Sequence, residues 1–140
     1  MTEKIVKIGV FGGLIILIFA ALFLPDWLKS KEKDKALAMV FQGKPVVLEF
    51  TSPTCGVCKE MKPLVEKLKK EYQGKVNFVV VSTDSTTGEA LRDKFPVEYV
   101  PSFYLMIDEH NQFDHFEGAV PEPMFRTLLD GMLKKSGGDS

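Results

Sequence analysis

The sequence predicts an α/β fold, a central mixed sheet flanked by helices, preceded by one N-terminal transmembrane helix. Three observations lead there. Stretches of strand character alternate with stretches of helical spacing, and the series closes on a hairpin and a helix. The only two cysteines stand three apart at a strand–turn–helix junction. Ile8 to Leu24 is a run of seventeen residues with no charge or strongly polar group.

The chain has 140 residues, 45% of them hydrophobic and 26% charged, so disorder of the whole is excluded and one domain with a short appendage is expected. A net charge of -1 offers no electrostatic reason to expect nucleic acid as a partner. Two cysteines so close together close only a very small loop, which restricts the unfolded chain little. They read as chemistry and not as a staple.

Taken in order, residues 1–28 form the expected anchor. At about 1.5 Å per residue a helix over 8–24 nearly spans a hydrocarbon core of roughly 30 Å. Lys4 and Lys7 precede it, and Trp27 suits an interface. A cleaved signal peptide is the competing reading, although no small-x-small site follows Ala21. Residues 29–35 are a charged linker. The domain then occupies 36–135, and 136–140 is a polar tail.

Within the domain, Ala36 to Phe41 makes a short amphipathic helix. Val46 to Thr51 is a strand, and Ser52-Pro53-Thr54 a turn. A helix runs from Cys55 to about Tyr72, with Val57, Met61, Leu64, Val65 and Leu68 at helical spacing and a kink at Pro63. Val76 to Val81 is nearly continuous β-former, the pattern of a strand buried on both faces. Thr86 caps a helix reaching about Phe95, with Glu89 closing a capping box. Phe103 to Ile107 and Phe113 to Glu117 form a hairpin across the Asp108–Gln112 turn. Pro121 to Lys135 is the last helix.

A cysteine at a helix N-terminus meets unpaired N–H groups and the positive end of the helix dipole, which favour the thiolate, its reactive form. Cys55 is thus the expected attacker. Cys58, one turn further in, can close on the first sulfur and release a reduced substrate. The metal alternative needs two further ligands. The only histidines, His110 and His115, lie at least 51 residues beyond Cys58 and read as solvated surface residues, so no metal is expected.

The stretch Val47-Leu48-Glu49-Phe50-Thr51-Ser52-Pro53-Thr54-Cys55-Gly56-Val57-Cys58-Lys59-Glu60-Met61-Lys62-Pro63 resembles the active-site region of thioredoxins, and the resemblance extends over about residues 36–134. Glu49, six before the first cysteine, matches the family's buried acid. Pro63 matches the kink proline, Val100-Pro101 the cis-proline, and Gly118 the glycine after the last strand. The resemblance implies that Val100 pairs by its backbone with bound peptide and that Glu49 relays a proton to or from Cys58. The other reading of Glu49 is an ordinary solvent-facing strand residue. Thr54, Gly56 and Val57, with Val100 and Pro101, are the expected substrate-contacting positions. Thr54 replaces a tryptophan, Val57 a proline, and Val80 a lysine that often accompanies the acid.

The function this implies is a membrane-tethered thiol–disulfide oxidoreductase that reduces protein disulfides, for example in cytochrome c maturation. No histidine lies between the cysteines, unlike in strong oxidants. The lysines after the apolar run slightly favour a cytoplasmic domain. A tethered reductant has more use on the extracytoplasmic side, in a periplasm, at a cell surface or in a lumen, and that side is the expectation. The implied partners are disulfide-bearing substrate proteins and a transmembrane dithiol donor. No cofactor is implied, and a monomer is expected. A disulfide oxidase or isomerase, or a binding module with idle cysteines, are the alternatives.

Overall fold

A computed structural model of the chain describes residues 12–23, 35, 38 and 40–137. Its centre is β1 (Val46–Thr51), whose first five residues are all buried. β2 (Asn77–Ser82) pairs parallel to it, and β3 (Ser102–Met106) antiparallel on its other side. β4 (Gln112–Glu117) pairs antiparallel to β3, so the sheet order is β2-β1-β3-β4. Helix α1 covers residues 12–23. Helices α2 (Gly56–Glu71), α3 (Thr86–Arg92) and α4 (Glu122–Gly137) follow.

Alternation along β1 sorts its side chains to two cores. Val47 joins Phe103 and Leu105 against Met61, Val65 and Leu68 of α2 and Phe125, Leu129 and Met132 of α4. Val46, Leu48 and Phe50 face the other way, towards Val40, Leu91, Phe95 and Tyr104. Glu49 has the parity of Val47, so it is turned towards α2, the helix that begins at the cysteines. α2 runs through Pro63 without interruption. Arg126 of α4 pairs with Glu71, and Glu122 with Lys67 at 2.9 Å, tying α4 to the outer face of α2.

Three expectations change. β2 is an edge strand and not one covered on both faces, and Val80 is 48% exposed. The cap of α3 is Ser85 and not Thr86: Ser85 is extended, and its Oγ accepts from the Gly88 N–H at 3.0 Å, while Thr86 is already helical. α3 stops at Arg92 and not Phe95, where Pro96 opposes a continuing helix. At 36–41 the described residues are Val40, which is helical and buried, Ala38, also helical, and Phe41; Ala36, Leu37 and Met39 lie outside the described residues.

The membrane assignment is corrected as well. Among the described residues no helix is long and apolar enough to cross a membrane. The described residues of α1, 12–23, amount to about 18 Å of helix against a core of roughly 30 Å. The localisation as a single-pass membrane protein with its domain outside the cytoplasm therefore falls. Residues 8–11 and 24, the linker at 29–34 and residues 138–140 lie outside the described residues, whereas Ser136 and Gly137, expected in the tail, belong to α4.

Candidate active site

β1 ends at Thr51, and the turn that follows is closed by Cys55 N–H donating to the Ser52 carbonyl at 3.2 Å. That turn makes Cys55 the N-cap of α2. Its backbone is extended, and its sulfur accepts from the Cys58 N–H at 3.0 Å. The first turn of α2 contains no acidic residue to oppose a negative sulfur. Cys55 is partly exposed, whereas Cys58 is 6% exposed, and the two are joined as a disulfide.

Across from the pair, the Val100–Pro101 peptide bond is cis. The Val100 carbonyl oxygen lies 3.4 Å from Cys55 Sγ. A disulfide sulfur carries no hydrogen, so this approach is a contact in the oxidised state and becomes a donor–acceptor pair once Cys55 is a thiol. Pro101 is anchored by its own carbonyl, which accepts from the Gly118 N–H at 2.7 Å. Gly118 has φ 83°, a conformation open to glycine. Thr54, Gly56 and Val57 are all exposed around the sulfurs.

Glu49 is 5% exposed, which removes the solvent-facing alternative. It shares with Cys58 a cleft of ≈ 360 Å³ that is also lined by Lys62, Val65, Glu66 and Val80. Burial, and second the charge of Glu66, push its carboxyl from 4.5 up to about 7. No cation offsets that push from β2, because the residue opposite Glu49 in the register is Val80. Among the described residues no group of three or more His, Cys, Asp or Glu could hold a metal ion.

A family model described as Thioredoxin matches residues 28–130. The chain belongs to the thioredoxin family. Thioredoxin-like protein HCF164, chloroplastic, of Oryza sativa subsp. japonica is 33% identical over 129 residues, covering 92% of this chain and 44% of that protein. Thioredoxin M-type, chloroplastic, of Brassica napus is 33% identical over 91 residues, or 65% of this chain and 50% of its own length. Among solved structures, the germline-specific thioredoxin Deadhead of Drosophila melanogaster superposes with TM-score 0.57 at 25% identity, covering 73% of this chain and 89% of that one. The chain thus spans half or less of the length of these two curated relatives. Thioredoxin-family membership together with an intact Cys-x-x-Cys pair supports thiol–disulfide oxidoreductase activity.

The fold brings the Val100 carbonyl, with Pro101 next to it, to Cys55 and sets Glu49 in one cleft with Cys58, while Thr54, Gly56 and Val57 stand exposed beside the cysteines along the chain. Two features escaped sequence reasoning. Tyr99, one residue before Val100, is 70% exposed and puts an aromatic residue next in the chain to the one whose carbonyl faces Cys55. Its place before Val-Pro was the available signal. His115 is not a solvated surface residue: its ring stacks on Tyr104 with centroids 4.0 Å apart, a pairing that only the β3–β4 register reveals.

Proposed function

We propose that this chain reduces disulfides in substrate proteins, with Cys55 as attacking thiol and Cys58 as resolving thiol. The observation that carries the reading is the asymmetry of the pair. Cys55 is accessible, caps α2 and accepts a hydrogen bond from the Cys58 N–H, while Cys58 is shielded behind it.

In the reduced protein, the Cys55 thiolate attacks one sulfur of the substrate disulfide. A mixed disulfide forms, the substrate's S–S bond breaks, and its other sulfur leaves as a thiolate that takes up a proton. Cys58, deprotonated with Glu49 as acceptor, then attacks Cys55 Sγ. The mixed disulfide breaks and the second substrate thiol departs. Two electrons have passed from the dithiol to the substrate, leaving the Cys55–Cys58 disulfide. A carboxyl near 7 can both take and return the proton close to neutral pH.

Val100 and Pro101, with Thr54, Gly56, Val57 and Tyr99, form the surface that receives the substrate strand. Residues 36–135 are the working unit, acting as a monomer without a bound cofactor. A dithiol donor, for which the resemblance implies a transmembrane carrier, returns the electrons. Cytochrome c maturation is a process that consumes such reducing power.

Trapping tests this. Cys58→Ser should accumulate mixed disulfides on Cys55, and their identities name the substrates. Equal trapping by Cys55→Ser would overturn the roles. The potential tests the direction: a reductant lies nearer about −270 mV, and a value near about −120 mV would make the chain an oxidant.

A further inference from the structure

Residues 96–101 form no helix or strand, yet they carry the Val100 carbonyl that faces Cys55 Sγ at 3.4 Å. Something must hold this loop in place. Tyr104 donates its hydroxyl to the Pro96 carbonyl. Glu117 Oε1 accepts from the Glu98 N–H at 3.0 Å. Ser102, fully buried, directly follows the cis-proline.

All three anchors meet at one side chain. His115 Nε2 lies 3.0 Å from Ser102 Oγ and 3.8 Å from Glu117 Oε1, and its ring stacks on Tyr104 at an interplanar angle of 18°. The set is not a nucleophile triad. Ser102 is inaccessible, and the same ring nitrogen faces both oxygens, whereas a triad uses opposite nitrogens.

We propose that His115 is a positioning residue for the exchange: through Ser102, Tyr104 and Glu117 it holds the 96–101 loop so that the Val100 backbone stands ready beside Cys55. The inference rests on the exchange at Cys55 proposed above. A loop fixed in advance spares the substrate the entropy of ordering it. Fixing the backbone of one residue is worth a factor on the order of ten in an equilibrium. The effect falls on substrate docking and leaves sulfur chemistry alone.

The test compares wild type, His115→Phe and His115→Gln on insulin, with dithiothreitol as the electron source. Phenylalanine keeps the stacking and loses both polar contacts; glutamine restores a polar group. In His115→Phe, KM for insulin should rise on the order of tenfold, with kcat and the rate of reduction by dithiothreitol alone within about twofold. His115→Gln should recover most of the loss. Ser102→Ala, which cuts the network from the buried side, should raise KM in the same way and covers the case in which His115→Phe does not fold. An unchanged KM in the variants that fold, or a parallel fall in the dithiothreitol rate, would overturn the inference. Wild type that exchanges with dithiothreitol but leaves insulin intact would instead overturn the reductase reading, and this inference with it.

Discussion

Replacing Glu49 with glutamine should remove a pH dependence from the stability of the whole domain. The carboxyl is pushed from 4.5 to about 7 by burial and by Glu66. In that interval the native state holds a proton that the unfolded chain has released. Stability therefore falls as pH rises wherever the native state binds the extra proton. The contribution is fully present below the unfolded value and lost as pH rises through the folded one. One pKa unit corresponds to about 1.36 kcal/mol, so the loss between about pH 4.5 and 7 is roughly 3 kcal/mol. A small domain is stable by about 5–15 kcal/mol in total, so the effect is large. The assay is urea unfolding of the oxidised protein, wild type against Glu49→Gln, at several pH values from about 4 to 8.5. The other carboxyls titrate in both proteins and cancel in the difference. Glutamine occupies the same space but cannot ionise. The variant should gain on wild type by roughly 3 kcal/mol across the window, a relative shift in midpoint of more than about 1 M urea for a typical slope. Stability curves that run parallel from pH 4 to 8.5 would refute the buried, proton-holding Glu49, and with it the physical basis for its part in activating Cys58.

Two further outcomes follow from the same geometry. Val80→Lys places an ammonium group opposite Glu49 in the β1–β2 register and at a half-exposed site that can accommodate it; an opposite charge within reach lowers a carboxyl by about 1–3 units, so NMR titration of Glu49 should show its midpoint falling from about 7 towards the ordinary value. Gly88→Ala directs a methyl group onto the Ser82 carbonyl oxygen, where α3 crosses the end of β2; the clash should destabilise the domain by about 2 kcal/mol or more, read as a fall in Tm, and an unchanged Tm would show that the two elements separate freely.

Much of the site is local, and for that reason it was legible in the chain. Cys55 caps α2 because a strand, a short turn and a helix follow one another over a dozen residues, and each has its own signal: β-formers, Ser-Pro-Thr, then apolar residues at helical spacing. Two-residue alternation could set Glu49 on the face opposite Leu48 and Phe50, but which of the two faces α2 covers could not be read there. Its protonation could not be read either, since that depends on how deeply the neighbouring strands and α2 bury it. The edge position of β2 was also hidden. Val76 to Val81 looks the same whether a strand has one neighbour or two, and only the sheet order β2-β1-β3-β4 leaves Val80 half open. The apolar run at 8–24 shows the limit of composition: its length suggested a spanning helix, and the described helix within it is too short for one.

The sequence by itself determined the fold family, the reactive pair and the order of elements, because these rest on short-range spacing and turn chemistry. The tertiary structure alone decided what surrounds the sulfurs. It set the Val100 carbonyl 3.4 Å from Cys55, 45 residues away along the chain, and His115 between Ser102 and Glu117. Such contacts come from strand register and from a loop held at both ends, and no local pattern of residues encodes the distance between segments that meet only when the sheet closes.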